Sequence, residues 1–272
     1  MIKLIASDLD GTLLNDKKQL PDGFFDFLDT LSQNGISFAA ASGRQYYSVE
    51  EVFAPVRDKM LFIAENGGIA FDGGKMIYSH PLDNSDILRI AETIDGLYRK
   101  GVRMELSGEN AVYLFGNDTE FIDRVKVFCG KGRVKVVNSW QEALSLDKII
   151  KIAIYDEDAE NRSYPLLKEL EPNLNVILSA AVWVDVVGGD ISKGRSLREL
   201  MAYVGADYDE TMAFGDYLND YEMIKQCKYG FAVENAHADL KKAAAYIAPS
   251  NNDNGVIKSI CKIAGIEYPQ AQ

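Results

Sequence analysis

The sequence predicts an α/β protein in which a parallel sheet, covered by helices on both faces, is interrupted by an inserted α+β domain. Two observations predict this class. Short apolar strands alternate with amphipathic helices at both ends of the chain, which is typical of parallel sheets with helical crossovers. Between these ends, strand-like runs separated by turn residues indicate hairpins and an antiparallel sheet.

The first part of the chain shows the alternation most clearly. Ile2–Ser7 is a short apolar run typical of a buried strand. A helix face follows Pro21, and Gly35 ends that helix. The apolar residues of this face recur at helical spacing: Phe24, Phe27, Leu28 and Leu31. The next predicted elements are a strand at Ile36–Ala41, a helix at Gln45–Phe53, a strand at Met60–Ala64 and a hairpin of Ile69–Phe71 with Lys75–Tyr78.

The middle of the chain has a different, mixed pattern. Its predicted elements are a helix over Ile87–Tyr98, strands at Val102–Leu106 and Ala111–Phe115, a helix over Asp118–Phe128, strands at Val134–Val137 and Ile149–Tyr155, a helix over Ala159–Leu170, and strands at Asn175–Leu178 and Val182–Val187. We interpret this block, residues 84–187, as the inserted α+β domain.

Alternation of helices and strands resumes after Gly188. The predicted elements are helices over Lys193–Val204, Leu218–Cys227, Ala236–Ala244 and Gly255–Ala264, and strands at Thr211–Phe214, Tyr229–Val233 and Tyr246–Ala248. The core domain is therefore predicted to comprise residues 1–83 and 188–272.

Charge and cysteine content exclude several classes of protein. The 272 residues carry 29 basic and 41 acidic side chains, a net charge of -12, which argues against duplex nucleic acid or an anionic membrane as a partner. The three cysteines form no metal-binding or disulfide pattern, and no apolar run reaches the roughly 20 residues of a membrane span. We expect a soluble, cytoplasmic protein.

Polar clusters follow the predicted core strands, at the sheet edge where ligands bind in parallel α/β folds. The four clusters are Asp8-Leu9-Asp10-Gly11-Thr12-Leu13, Ser42-Gly43-Arg44, Ser192-Lys193-Gly194, and Gly215-Asp216 with Asn219-Asp220. Each cluster alone is equally compatible with a turn or a helix cap. All four in this order make a purely structural explanation improbable.

The residue types in these clusters fit phosphate chemistry. Two carboxylates about 4 Å apart repel by about 4 kcal/mol at an effective dielectric constant of about 20, so Asp8, Asp10 and Asp216 together favour a bound cation. Oxygen ligands select a hard ion such as Mg²⁺. Lys193, Ser42 and backbone N–H groups suit phosphate oxygens. One carboxylate can then act as a nucleophile and a second as an acid and base.

Taken together, these residues resemble the motifs of the haloacid dehalogenase superfamily of phosphohydrolases, and specifically of its Cof-type branch. The resemblance implies a Rossmann-like α/β core with a cap domain of type IIB inserted between the second and third motifs. The matching motifs are Asp8-Leu9-Asp10-Gly11-Thr12, Ser42, Lys193 and Gly215–Asp220. Three further segments fit the branch: Glu65-Asn66-Gly67, Val233-Glu234-Asn235-Ala236 and Ser250–Val256.

The resemblance also implies a role for each site residue. Asp8 would be the nucleophile and a metal ligand. Asp10 would be the general acid and base, and its backbone carbonyl would contact Mg²⁺. Asp216 would be a metal ligand and Asp220 would lie in the outer coordination sphere. The residues expected to bind phosphate are Leu9, Gly11, Ser42, Gly43, Lys193 and Asn219.

The expected activity is Mg²⁺-dependent hydrolysis of a small phosphorylated metabolite, such as a sugar phosphate, through an aspartyl-phosphate. A sugar phosphomutase of the same superfamily and a non-catalytic phosphate-binding module are the alternatives. Tyr217 departs from the branch, where Asn is common at this position. The expected assembly is a monomer or weak homo-oligomer, and the physiological substrate and the residues that select it are not predicted.

Overall fold

The computed structural model describes residues 1–129, 132–170 and 172–268. Its contacts divide the chain into two compact units. The first, called the core unit, comprises Met1–Ser42, Val49–Ile77 and Ser192–Gln272, and the second, called the cap unit, comprises Gly43–Ser48 and Tyr78–Ile191. The predicted insert, residues 84–187, lies inside the longer range of the cap unit. Residues 269–272, predicted as the end of the core domain, lie outside the described residues.

Strands and α-helices occur along the whole chain, and several strands follow one another directly. The strands are β1 (Leu4–Ser7), β2 (Ser37–Ala41), β3 (Leu61–Ala64), β4 (Ile69–Asp72), β5 (Lys75–Ser79), β6 (Arg103–Gly108), β7 (Val112–Phe115), β8 (Val134–Val137), β9 (Ile149–Tyr155), β10 (Leu174–Ala180), β11 (Trp183–Gly188), β12 (Thr211–Gly215), β13 (Tyr229–Val233) and β14 (Tyr246–Ala248). The α-helices are α1 (Phe24–Gln33), α2 (Tyr46–Val52), α3 (Asn84–Asp95), α4 (Thr119–Cys129), α5 (Trp140–Leu146), α6 (Ser163–Lys168), α7 (Lys193–Val204), α8 (Tyr221–Lys225), α9 (Ala238–Ala243) and α10 (Gly255–Ala264).

The core unit is built on a sheet whose strand order is β14-β13-β12-β1-β2-β3-β4-β5. Strands from β14 to β3 pair in parallel, and β4 pairs antiparallel to β3. Strands β1, β3 and β12 are buried along their whole length, as expected for parallel strands covered on both faces. The predicted fold class is confirmed, and the predicted hairpin extends one edge of this sheet.

Helix α1 shows how the apolar pattern places a helix on this sheet. It begins after Gly23 rather than at Pro21, and its inward face is the predicted one. Gly35 follows the helix with a φ of 70°, a left-handed conformation that costs glycine little. The buried residues of α1 are Phe24, Phe27, Leu28 and Leu31.

The cap unit contains a second sheet, in the order β10-β11-β9-β6-β7-β8. Its described pairings are antiparallel except for β7 with β8, which is parallel. The predicted inserted α+β domain with an antiparallel sheet is therefore confirmed in its class.

The two faces of the cap sheet differ in polarity, because alternate residues of a strand point to opposite sides. One face contributes buried apolar residues to a core that includes helix α3: Met104, Leu106, Ile152, Ile154, Val184 and Val186. The other face, called the polar face, carries Glu105, Ser107, Lys151 and Asp185, all of them buried. The register aligns Ser107 with Lys151, and it aligns both Glu105 and Asp185 with Ala153.

The short segment Gly43–Ser48 belongs to the cap unit, although it directly follows Ser42 of the core unit. Hydrogen bonds hold it there from both ends. They run from Lys151 Nζ to Gly43 O (2.7 Å), from Gln45 Nε2 to Ser107 Oγ (3.1 Å) and from Tyr47 Oη to Glu109 O (2.9 Å). This association is not predicted by the sequence.

Helix α5 was not predicted from the sequence. Ser139 caps it by accepting a hydrogen bond from Glu142 N at 3.1 Å. The Ser-x-x-Glu spacing is a helix-start signal that could have identified it. The predicted helix over Leu218–Cys227 is instead a 3-10 turn at Leu218–Asp220 followed by α8. None of the helices in the described part of the chain combines the length and apolar character needed to cross a lipid bilayer.

Candidate active site

The ends of the central core strands bring the predicted acidic residues together. Strands β1 and β12 are parallel neighbours with Ser7 opposite Phe214, so the residues after them emerge at the same edge. Asp8 continues this pairing by donating its backbone N–H to Phe214 O at 2.9 Å. Ser42 follows β2 and donates its backbone N–H to Ile63 O at 2.8 Å.

Lys193 lies at the start of helix α7, next to the N-cap residue Ser192. Its side chain is 1% exposed, and its ammonium donates to Asp8 Oδ1 at 2.6 Å and to Asp220 Oδ1 at 2.7 Å. A buried charge needs partners of opposite charge, and the two carboxylates provide them. Helix α7, from the last part of the chain, thus places the Lys193 ammonium beside Asp8 of the first motif.

Asp220 links this lysine to the loop that follows β12. Its second oxygen, Oδ2, accepts the backbone N–H groups of Asp216 at 3.0 Å and Tyr217 at 3.2 Å. A Cβ atom at Gly215 would lie 2.4 Å from the Cβ of Asp220, so the close approach requires glycine there. Asp220 is completely buried and therefore fixes the loop that carries Asp216.

Asp216 is held from the side of the first motif. Thr12 Oγ1 donates to Asp216 Oδ1 at 3.0 Å. Gly11 has a φ of 80°, and a Cβ atom there would lie 2.6 Å from Asp216 Oδ2. Glycine is therefore needed at position 11 for its conformation and for space. Thr12 was not among the predicted site residues, although it belongs to the predicted motif.

Side-chain oxygens of Asp8, Asp216 and Asp220 lie within 4.8 Å of one another. These residues are called the acidic cluster. Carboxylate oxygens are ligands for a hard divalent cation, and the cluster's negative charge exceeds that of the single ammonium of Lys193. The residues present therefore fit an Mg²⁺ ion, by the chemistry of their donor atoms.

The environment shifts the pKa of Asp8, Asp216 and Lys193. Burial raises the pKa of Asp8 well above its ordinary value; Lys193 opposes this shift, and the charges of Asp220 and Asp216 add to it. Burial and the charge of Asp220 raise the pKa of Asp216 to about 6. Burial alone would lower the pKa of Lys193, but Asp220 and Asp8 outweigh burial and raise it. Lys193 is thus protonated, and its single positive charge does not neutralise the carboxylates around it.

The side chain of Asp10 is not part of the acidic cluster. Its Oδ1 accepts a hydrogen bond from Lys18 Nζ at 2.8 Å, and its side chain is 35% exposed. The contact expected between Asp10 and the metal is through the backbone carbonyl of Asp10. Leu9 is fully buried, so its side chain is not available to a phosphate.

Asn219 and Asn66 meet beside this cluster. Asn219 Nδ2 donates to Asn66 Oδ1 at 3.1 Å. Asn66 and its neighbour Glu65 are buried and have φ values of 54° and 52°, which are strained for residues other than glycine. The run Glu65-Asn66-Gly67 after β3 was the sequence signal for this position, and it was equally compatible with a simple turn.

His237 and Tyr217 lie on the outer side of the same loop. His237 donates its backbone N–H to Asp216 O at 2.8 Å, and its Nδ1 accepts from Asp239 N at 3.2 Å as the cap of helix α9. The Tyr217 ring packs edge-on against the His237 ring, with centroids 5.6 Å apart. His237 therefore acts as a cap of helix α9, and Tyr217 is 38% exposed.

The chain is similar to known proteins over most of its length. A sequence profile of the haloacid dehalogenase-like hydrolases matches residues 5–260, and the chain belongs to this family, as the motifs predicted. The chain is 30% identical over 271 residues to the 5-amino-6-(5-phospho-D-ribitylamino)uracil phosphatase YbjI of Escherichia coli (strain K12), with 98% of each chain covered. It is 27% identical over 281 residues to the phosphatase YwpJ of Bacillus subtilis (strain 168), covering 94% of this chain and 97% of YwpJ.

Solved structures show the same fold. SMU.1108c from Streptococcus mutans UA159 has a TM-score of 0.86 and 28% identity, covering 98% of this chain and 100% of that one. The subclass IIB sugar phosphatase BT4131 has a TM-score of 0.82 at 22% identity, with 97% and 100% covered, and this likeness concerns the fold alone. Family and curated relatives together identify the chain as a phosphatase of the Cof-type branch.

Proposed function

We propose that the protein hydrolyses phosphate monoesters of small metabolites with Mg²⁺ and a phosphoryl-enzyme intermediate on Asp8. The observation that carries this proposal is the buried contact of Lys193 with Asp8, which orients one carboxylate of the acidic cluster. Lys193 favours the ionised form of Asp8 against the burial that raises its pKa, and an ionised carboxylate is a suitable nucleophile for phosphorus.

The metal would be held by the side chains of Asp8 and Asp216 and by the backbone carbonyl of Asp10. Asp220 would lie outside its coordination sphere, because hydrogen bonds from Lys193 and two backbone N–H groups already engage both of its oxygens. When bound, Mg²⁺ supplies positive charge that lets a dianionic phosphate enter an acidic site.

The chain's own residues account for the two chemical steps. In the first, Asp8 attacks phosphorus, the bond to the leaving oxygen breaks, and Asp10 donates a proton to that oxygen. In the second, Asp10 removes a proton from water, which attacks phosphorus and releases phosphate and the Asp8 carboxylate. Lys193, Ser42, Asn219 and backbone N–H groups of the first two motifs would hold the phosphoryl oxygens.

For the leaving group we propose a polyhydroxylated compound, such as a sugar phosphate. Gln45, Ser107 and the buried ions Lys151 and Asp185 lie together in the cap unit and offer hydrogen bonds to hydroxyl groups. Gln45 Oε1 is buried and has no hydrogen-bond partner among the described residues. A buried acceptor without a donor costs about 1–3 kcal/mol, which a substrate hydroxyl would relieve. The E. coli relative is named for a phospho-D-ribitylamino compound.

The decisive experiment traps the intermediate. The enzyme is mixed with para-nitrophenyl phosphate and Mg²⁺, quenched in acid and digested, and the peptide that contains Asp8 is weighed by mass spectrometry. We expect a phosphoryl group on Asp8 in the wild type and none in Asp8→Asn, which loses turnover as well. Asp58→Asn, with a side chain 80% exposed, serves as the control and retains both. Turnover by Asp8→Asn at the wild-type rate would refute the proposal.

A further inference from the structure

We propose that Lys18 is a positioning residue for Asp10, and that the turn Asn15–Gln19 exists to present its ammonium to this carboxylate. This inference rests on the proposed role of Asp10 as the acid that protonates the leaving oxygen. It concerns residues that lie together in the core unit. The contact is the hydrogen bond from Lys18 Nζ to Asp10 Oδ1 at 2.8 Å.

Stability does not explain the pair. The side chains of Lys18 and Asp10 are 60% and 35% exposed, and ion pairs with this exposure contribute little to folding. Lys18 also has a φ of 60°, a conformation that glycine adopts more readily than lysine. The chain thus keeps a lysine where glycine would fit the backbone better, which indicates that the side chain has a function.

The turn that imposes this conformation is closed by Asn15. Its backbone carbonyl accepts the N–H of Lys18 at 2.8 Å, and its side-chain oxygen accepts those of Lys17 at 2.9 Å and Gln19 at 3.0 Å. The backbone N–H of Asn15 donates to Gln19 O at 3.1 Å. The direction in which Lys18 leaves the chain is therefore fixed locally.

Asparagines from the end of the core unit hold this turn in place. Asn251 Nδ2 donates to Leu14 O at 3.0 Å and to Asp16 Oδ1 at 3.2 Å. Asn252 Nδ2 donates to Asp16 Oδ2 at 2.9 Å, and its Oδ1 accepts Asp16 N at 3.1 Å. The segment Ser250–Val256, which the proposed chemistry left without a role, thus anchors the turn that carries Lys18.

A second asparagine contact anchors the first motif itself. Asn235 Nδ2 donates to Gly11 O at 2.7 Å, and Asn235 Oδ1 accepts the N–H of Asn251 at 3.1 Å. The backbone next to Asp10 is therefore bonded to Asn235, and the turn that carries Lys18 is bonded to Asn251. These two asparagines are joined by a hydrogen bond. Both partners of the Lys18–Asp10 contact therefore extend from backbone that these asparagines hold together.

The test uses two aryl esters that differ mainly in how much they need an acid. Phenolate is a poor leaving group and needs protonation, whereas para-nitrophenolate leaves readily, so the ratio of their kcat/KM values measures proton donation. We expect Lys18→Met and Lys18→Gly to raise the ratio of para-nitrophenyl to phenyl phosphate turnover about tenfold. Lys18→Arg should restore the ratio to near the wild-type value. Lys17→Met, which removes an exposed lysine from the same turn, should leave it unchanged.

Thermal unfolding separates positioning from folding. Lys18→Gly should unfold at the same temperature as the wild type or higher, because glycine relieves the strained φ, while its ratio still rises. An unchanged ratio in Lys18→Met and Lys18→Gly, with a raised ratio in Asp10→Asn, would overturn this inference alone. A ratio unchanged in Asp10→Asn as well would overturn the proposed acid, and this inference with it.

Discussion

Lys193 Nζ lies 2.7 Å from Asp220 Oδ1, and the two side chains are 1% and 0% exposed. The pair joins the start of helix α7 to the loop after β12. The other oxygen of Asp220 accepts two backbone N–H groups of that loop. The Asp220 carboxylate therefore orients both the Lys193 ammonium and the backbone of Asp216.

Removing Asp220 should therefore destabilise the core unit. Asp220→Ala leaves two backbone N–H groups without an acceptor and deprives a buried ammonium of one partner, and we expect a loss of about 3–5 kcal/mol in the free energy of unfolding. Asp220→Asn keeps an oxygen for the loop and should lose less. Urea unfolding measures both. Asp209→Ala removes an exposed ion pair with Lys228 and should change nothing measurable; equal midpoints for Asp220→Ala and Asp209→Ala would contradict the prediction.

Mg²⁺ should stabilise the folded protein in the absence of any substrate, because it relieves the repulsion within the acidic cluster. At a concentration of about 100 times Kd the gain is about 2.7 kcal/mol, enough to raise Tm by several degrees. Asp216→Asn should lose most of this shift, and EDTA should abolish it. Asp58→Asn is the matched control for loss of a carboxylate. A shift of full size in Asp216→Asn would place the ion elsewhere.

Gln45 should influence which ester the enzyme prefers. Gln45→Leu removes the buried acceptor Oε1 and the hydrogen bond to Ser107. The ratio of kcat/KM for D-ribitol 5-phosphate or glucose 6-phosphate to that for para-nitrophenyl phosphate should fall about tenfold, the value of one lost hydrogen bond of about 1.4 kcal/mol. Gln141→Leu, at an exposed position of the same unit, provides the control. If the ratio is the same in both variants, Gln45 does not select hydroxylated substrates.

The cap unit should show an acid-dependent loss of stability at Asp156. Burial alone would raise the pKa of this carboxyl, but hydrogen bonds from Arg162 and from the backbone N–H of Asp158 outweigh burial and lower it. A lowered pKa stabilises the fold above the unfolded-state value of about 3.9, and this contribution is lost as the pH falls through the folded-state value. Asp156→Asn should thus cost about 2 kcal/mol at pH 7 and progressively less below about pH 4.

Urea unfolding of wild type and Asp156→Asn from pH 7 to pH 3 measures this difference. Glu160→Gln, at an exposed position nearby, is the control and should follow the wild type throughout. A difference that stays constant down to pH 3 would show that the charge of Asp156 does not stabilise the cap unit.

The sequence could predict the core unit well because its signals are local. Short buried runs such as Leu4–Ser7 and Leu61–Ala64 are followed directly by chemically distinctive residues, and parallel strands place those residues at one edge. Asp8 and Asp216 were therefore expected at one edge, and the ammonium of Lys193, at a helix start, lies beside Asp8. The missed helix at Trp140–Leu146 also had a local signal, the cap at Ser139, which was not used.

Contacts between distant parts of the chain could not be predicted from local sequence patterns. Neither the hydrogen bond of Thr12 with Asp216 nor that of Asn235 with Gly11 leaves a periodic pattern in the sequence. The same holds for Lys18, whose left-handed backbone is imposed by Asn15 and by asparagines more than two hundred positions away. Such residues look like ordinary loop polar groups until the fold brings them together.

The membership of Gly43–Ser48 in the cap unit has a consequence for how caps can be exchanged between relatives. A chimera that replaces only Tyr78–Ile191 would leave Gln45 without the Ser107 hydroxyl, and Tyr47 would depend on a foreign loop for the carbonyl that Glu109 provides. The cap unit is therefore discontinuous in sequence, and a grafted cap should include its own six-residue counterpart of Gly43–Ser48. Substitutions in the two segments should be correlated among natural relatives.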